Sequence, residues 1–103
     1  MNELDLNKEI AEKLGFTEVK SFSMYPGKSE ITVRGLHHDI WHVKDYCNNP
    51  ADAWPIIQKY KISLQYEYMM GSWSADCVTH SILDDSPLKA AMLCFLEMEI
   101  NDK

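Results

Sequence analysis

Ile62-Ser63-Leu64-Gln65-Tyr66-Glu67-Tyr68-Met69-Met70-Gly71-Ser72-Trp73-Ser74-Ala75-Asp76-Cys77 alternates twice about a glycine. Over 62–68, Ile62, Leu64, Tyr66 and Tyr68 fall on one side and Ser63, Gln65 and Glu67 on the other. That two-residue period is the signature of a half-buried strand. Segment 72–79 repeats it, with Trp73, Ala75 and Cys77 on one face. With Gly71 as the turn, the two segments predict an antiparallel hairpin, and Trp73 is expected near Tyr68.

Helical signals flank this hairpin. In segment 4–14, Leu6, Ile10 and Leu14 recur every four residues, with Asn2 or Asp5 as a cap and Gly15 as a left-handed stop. Segments 17–24 and 30–34 read as strands joined by the turn Tyr25-Pro26-Gly27-Lys28, and 39–44 as a third. Asn49-Pro50-Ala51-Asp52 predicts a helix start with Asn49 capping and Trp54, Ile57 and Tyr60 or Lys61 turned inward. Pro55 is expected to bend that helix, unless Asp52 is the true cap and Pro55 lies in the first turn. Ser86 and Pro87 open a last helix whose Leu88, Ala91, Met92, Phe95 and Leu96 need a sheet to cover them. The expected class is α+β: one mostly antiparallel sheet of four to five strands with three helices packed on it, sandwich-like, in a single domain over residues 1–103.

Composition narrows the function classes. The 103 residues carry a net charge of -6, against binding to a phosphate backbone or an anionic membrane surface. No apolar run reaches transmembrane length. The opening Met1-Asn2-Glu3-Leu4-Asp5 is unlike a signal peptide, and three scattered cysteines suit a reducing compartment. The expectation is a cytoplasmic protein.

Two stretches carry more than periodicity. One is Asp45-Tyr46-Cys47-Asn48-Asn49-Pro50-Ala51-Asp52-Ala53-Trp54-Pro55-Ile56-Ile57; the other is Ser86-Pro87-Leu88-Lys89-Ala90-Ala91-Met92 with the Phe-Leu helix after it. Together they resemble the NinX-like family of small proteins from tailed bacteriophages and prophages, related to a phage α-β-α sandwich domain. The resemblance covers most of the chain and is weakest over 25–43. It implies expression in the cytoplasm of a bacterial host and an accessory role, with a host or phage protein as the partner. It transfers no catalytic residue and no cofactor.

The residues themselves offer few chemical sites. His37, His38, Asp39 and His42 invite a metal, but in a strand His38 and His42 stand about 13 Å apart. One ion holds its nitrogens at roughly 2 Å, so no metal is expected. Cys77 and His80 point to opposite faces of an extended segment, a poor nucleophile and base. No nucleophile–base pair and no phosphate loop emerge, so a non-enzymatic protein is expected. Large aromatics are in excess for one small core. Trp41, Tyr66, Tyr68 and Trp73 are the candidate binding surface. The alternative is a small-molecule or nucleotide site, aromatic-lined, at Asp45, Tyr46, Asn48, Asn49 and Trp54.

Overall fold

A computed structural model of the chain describes residues 2–21, 29–35, 40–77 and 80–98. Among these run three helices, α1 (Glu3–Leu14), α2 (Pro50–Lys59) and α3 (Pro87–Glu97). The strands are β1 (Glu18–Ser21), β2 (Ile31–Arg34), β3 (His42–Lys44), β4 (Ser63–Glu67), β5 (Ser72–Asp76) and β6 (Ser81–Asp84). The turn expected at 25–28 and the residues His37, His38 and Asp39 lie outside the described residues, as do parts of the strands expected over 17–24, 39–44 and 72–79.

The strands form two antiparallel sheets, β1-β2-β3 and β4-β5-β6. This corrects the expectation of one sheet of four to five strands. The reason lies in α3. Ala90, Ala91, Met92, Cys94 and Phe95 are all buried, an apolar surface too broad for one neighbour. The second sheet covers α3 on one side, while α1 and α2 pack against it as well. The first sheet packs on α1 through β1 and β2. The two sheets are thus joined through helices, with Leu6, Ile10, Ile31, Val33, Met92 and Phe95 fully buried in the core.

The helix ends follow the sequence signals. Asn2 Oδ1 accepts from Asp5 N at 2.8 Å, and Gly15 closes α1 in the left-handed region at φ 106°. Asn49 Oδ1 accepts from Ala51 N at 3.0 Å, and Ser86 Oγ accepts from Lys89 N at 3.3 Å. Lys13 then ties α1 to the end of α3, donating to the carbonyls of Phe95 (2.7 Å), Leu96 (3.0 Å) and Met98 (2.5 Å).

Trp54 is a correction. It is 56% exposed, not buried under α2. The inward stripe of α2 is Ala53, Ile56 and Ile57, and one residue of helix turns about 100° away from it. Ile57 is buried and Tyr60 half-buried, its ring 5.0 Å from that of Phe95. Pro55 sits inside the helix rather than in its first turn, because the cap is Asn49.

Candidate functional site

The β4–β5 hairpin forms with Leu64 opposite Ala75 and Tyr66 opposite Trp73. Trp73 therefore pairs with Tyr66, not with Tyr68 as expected. The strand stops at Glu67, whose carbonyl accepts from the N–H groups of Met70 (3.1 Å) and Gly71 (2.8 Å). That bond pattern spends 68–71 on the loop, and Gly71 takes the left-handed conformation at φ 65° that closes it.

Opposite residues of an antiparallel pair share a face. Leu64, Ala75 and Ile82 therefore lie on one face of the second sheet and pack in or against the core. Tyr66 and Trp73 continue that face towards the turn. Tyr66 is 37% exposed and Trp73 half-buried. The Tyr66 ring meets Tyr68 at 5.0 Å and Trp73 at 5.4 Å, both edge to face. Tyr68 is 88% exposed, Met69 97% and Met70 64%. The hairpin tip is thus an exposed aromatic and methionine cluster. Glu67, Asp84 opposite Trp73, and Asp85 beside Ser72 lie around it.

Trp41 does not join that cluster. It precedes β3 in the first sheet, with Arg34 Cζ 4.8 Å and Lys20 Nζ 5.0 Å from its ring centre. Arg34 is also paired with Glu18 at 2.5 Å. The four residues grouped from the sequence thus lie on two sheets.

Of the alternative pocket, Asp45 and Asn48 are engaged inside the molecule. Asp45 Oδ1 accepts from Asn7 Nδ2 (2.9 Å), and Oδ2 from Ser29 Oγ (2.9 Å). Asp45 N donates to Asp52 Oδ2 (2.8 Å), and the Asp45 carbonyl accepts from Asn49 N (2.8 Å). Asn48 Nδ2 donates to Glu3 Oε1 (2.9 Å) and Ser29 Oγ (3.0 Å). Asn7 Oδ1 accepts from Cys47 N at 3.2 Å. This net joins α1, the start of β2 and the start of α2. Asn49 is the helix cap, Trp54 faces solvent, and Tyr46 is 2% exposed. The five residues do not converge on one pocket.

The thiols of Cys47 and Cys94 are poor nucleophiles. Burial, with Glu3 and Asp45 nearby, pushes Cys47 up to about 12, and burial beside Cys77 pushes Cys94 to about 12. Both are un-ionised at neutral pH, the reverse of an activated thiol. Among the described residues no group of three or more His, Cys, Asp or Glu is placed to hold a metal ion. Nor is any helix among them long and apolar enough to cross a membrane.

Met69, Met70 and Leu83, the last 48% exposed, were not among the residues read from the sequence. The signal for the methionines was present: two large apolar side chains in a turn, where polar residues are usual. Asn7 and Ser29 gave none, because their partners are 16 to 40 positions away.

The model of the family described as Bacteriophage P22, NinX matches residues 1–99. The chain belongs to that family. The match spans both stretches on which the resemblance rested, and it makes this a protein of phage type. Asp45, Asn48 and Asn49, in the first of those stretches, form the polar junction between α1, β2 and α2. Neither the curated proteins nor the solved structures return a match.

Proposed function

We propose that this phage accessory protein works in the cytoplasm of the bacterial host by binding a host or phage protein, without catalysing a reaction. The β4–β5 tip makes the contact. The observation that carries this is the tip itself: Tyr68, Met69 and Met70 are more than 60% exposed in succession, beside the edge-to-face pair of Tyr66 and Trp73. Leaving such side chains in water forgoes the stabilisation that burial would give. Tyr and Trp make strong anchors because large area is fixed with few rotatable bonds. Methionine adds a surface that adapts to its partner. The second sheet packed on α3 gives the tip a rigid base. Glu67, Asp84 and Asp85 suit a partner whose rim is basic around an apolar pocket.

A photo-crosslinking residue placed at Met69 tests this in the expressing host. It is expected to yield a discrete adduct with one host or phage protein. The same residue at Trp54, also exposed but on α2, is expected to yield none. Equal labelling from both positions would contradict the assignment.

A further inference from the structure

A second concave surface lies away from the hairpin tip, between the end of α1, the end of β3 and the flank of α2. This open groove of about 190 Å³ has Leu14, Phe16, Pro55, Ile56 and Tyr60 as apolar walls. It is smaller than the roughly 300–1,000 Å³ of drug-sized pockets and suits only a small molecule. Two lysines, Lys44 and Lys59, stand at it, with one carboxylate, Asp52. Lys44 Nζ is 3.5 Å from Asp52 Oδ1, so those two charges offset each other. Lys59 rests 5.4 Å from the Tyr60 ring centre and leaves a net positive charge.

Tyr46 supplies the polar group inside the groove. The residue is only 2% exposed, yet its hydroxyl has no hydrogen-bond partner among the described residues. No fully buried side-chain polar atom among them lacks a partner, which places the small remaining exposure of Tyr46 at its hydroxyl. Burial and the neighbouring Asp52 raise its pKa, so it stays a donor at neutral pH. Water can meet that donor at the groove surface, and a ligand oxygen would take its place.

We propose that this groove binds a small apolar carboxylate, with the Tyr46 hydroxyl donating to a carboxylate oxygen, Lys59 supplying the counter-charge, and the apolar body lying between Phe16, Pro55 and Ile56. An anion fits because the groove offers a donor and one uncompensated cation. A neutral apolar molecule would leave the hydroxyl unmet. The site shares no residue with the hairpin tip, so it stands or falls apart from the protein-binding proposal.

Titration of the ¹⁵N-labelled chain with phenylacetate, followed through amide shifts, tests it, with phenylacetamide as the uncharged control. Saturable shifts are expected at residues lining the groove, with the amide roughly tenfold weaker for loss of one charge-assisted contact. Tyr46→Phe should weaken phenylacetate several-fold while leaving the melting temperature unlowered, since its hydroxyl bonds no described residue of the free protein. Lys59→Gln, at an exposed position, should weaken it independently, and Tyr68→Ala should not. Equal binding of acid and amide, wild-type affinity in both groove variants, or shifts that do not saturate would each overturn the site.

Discussion

Asn49 turns a sequence pattern into a helix start with a single bond, its Oδ1 accepting from Ala51 N. Asn49→Ala is expected to lower stability by about 1 kcal/mol in urea melts. Trp54 belongs to the same helix but to its wet side, and Trp54→Ala should cost under ~1 kcal/mol. A loss near the ~3–5 kcal/mol of a core aromatic would mean that Trp54 is covered after all. Asp45 is the residue on which most depends. Truncating it removes one of the two acceptors of the buried Asn7 amide, which keeps the Ser29 carbonyl, and frees the Ser29 hydroxyl and Asn48. Asp45→Ala should cost about 2–4 kcal/mol, since each stranded buried partner costs about 1–3 kcal/mol. Asp45→Asn, which keeps one acceptor, should cost less. The thiols add a pH dependence. The folded pKa of Cys47 and Cys94 is raised from 9.0 to about 12, so above pH 9 the unfolded chain releases protons that the native state retains. Stability should therefore fall between pH 9 and 12. Burial lowers the pKa of Lys13, which opposes that trend weakly. Cys47→Ala should flatten the slope in melts across this range; an unchanged slope would contradict the assignment.

At the scale of elements, the helices were legible and the sheets only half so. Each helix announces itself through neighbours in sequence: Asn2 and Gly15, Asn49 and Pro50, Ser86 and Pro87. The β4–β5 alternation was equally local. What could not be read was β6, since Ser81-Ile82-Leu83-Asp84 is too short to show a period, and its pairing to β5 is a tertiary fact. The division into two sheets rests on α3 being covered from two sides, which a list of apolar residues does not reveal. Two glycines test the turns. A Cβ at Gly35, at φ 109°, would stand 1.8 Å from Thr17 Oγ1, whereas one at Gly71, at φ 65°, meets nothing within 4 Å. Gly71→Ala should cost only the left-handed backbone, about 1–2 kcal/mol. Gly35→Ala should cost more, because Thr17 must also move. Thermal melts of both that ranked Gly71→Ala as the worse would place the strain wrongly.

Among the described residues, large apolar side chains stay exposed at the hairpin tip, at Ile40, Trp41 and Val43 by the first sheet, and at Trp54 on α2, and the tip holds the most exposed of them. Among the described residues no fully buried side-chain nitrogen or oxygen lacks a partner. The exposed cluster at 66–70 therefore stands on a core that is otherwise consistent. Its aromatic half was legible because Tyr66 and Tyr68 share a strand period. Its methionines, and the separation of Trp41 onto the other sheet, needed the register and the loop. The decisive measurement is quantitative capture from infected host lysate by the wild-type chain and by Tyr68→Ala, with melting temperatures shown to match. Tyr68 is 88% exposed, so its loss should leave the fold intact. The account predicts that a protein held by the wild type is held roughly thirtyfold more weakly by the variant, the effect of losing an anchor of about 2 kcal/mol. Identical capture by both chains would contradict the claim that this protein acts through its hairpin tip.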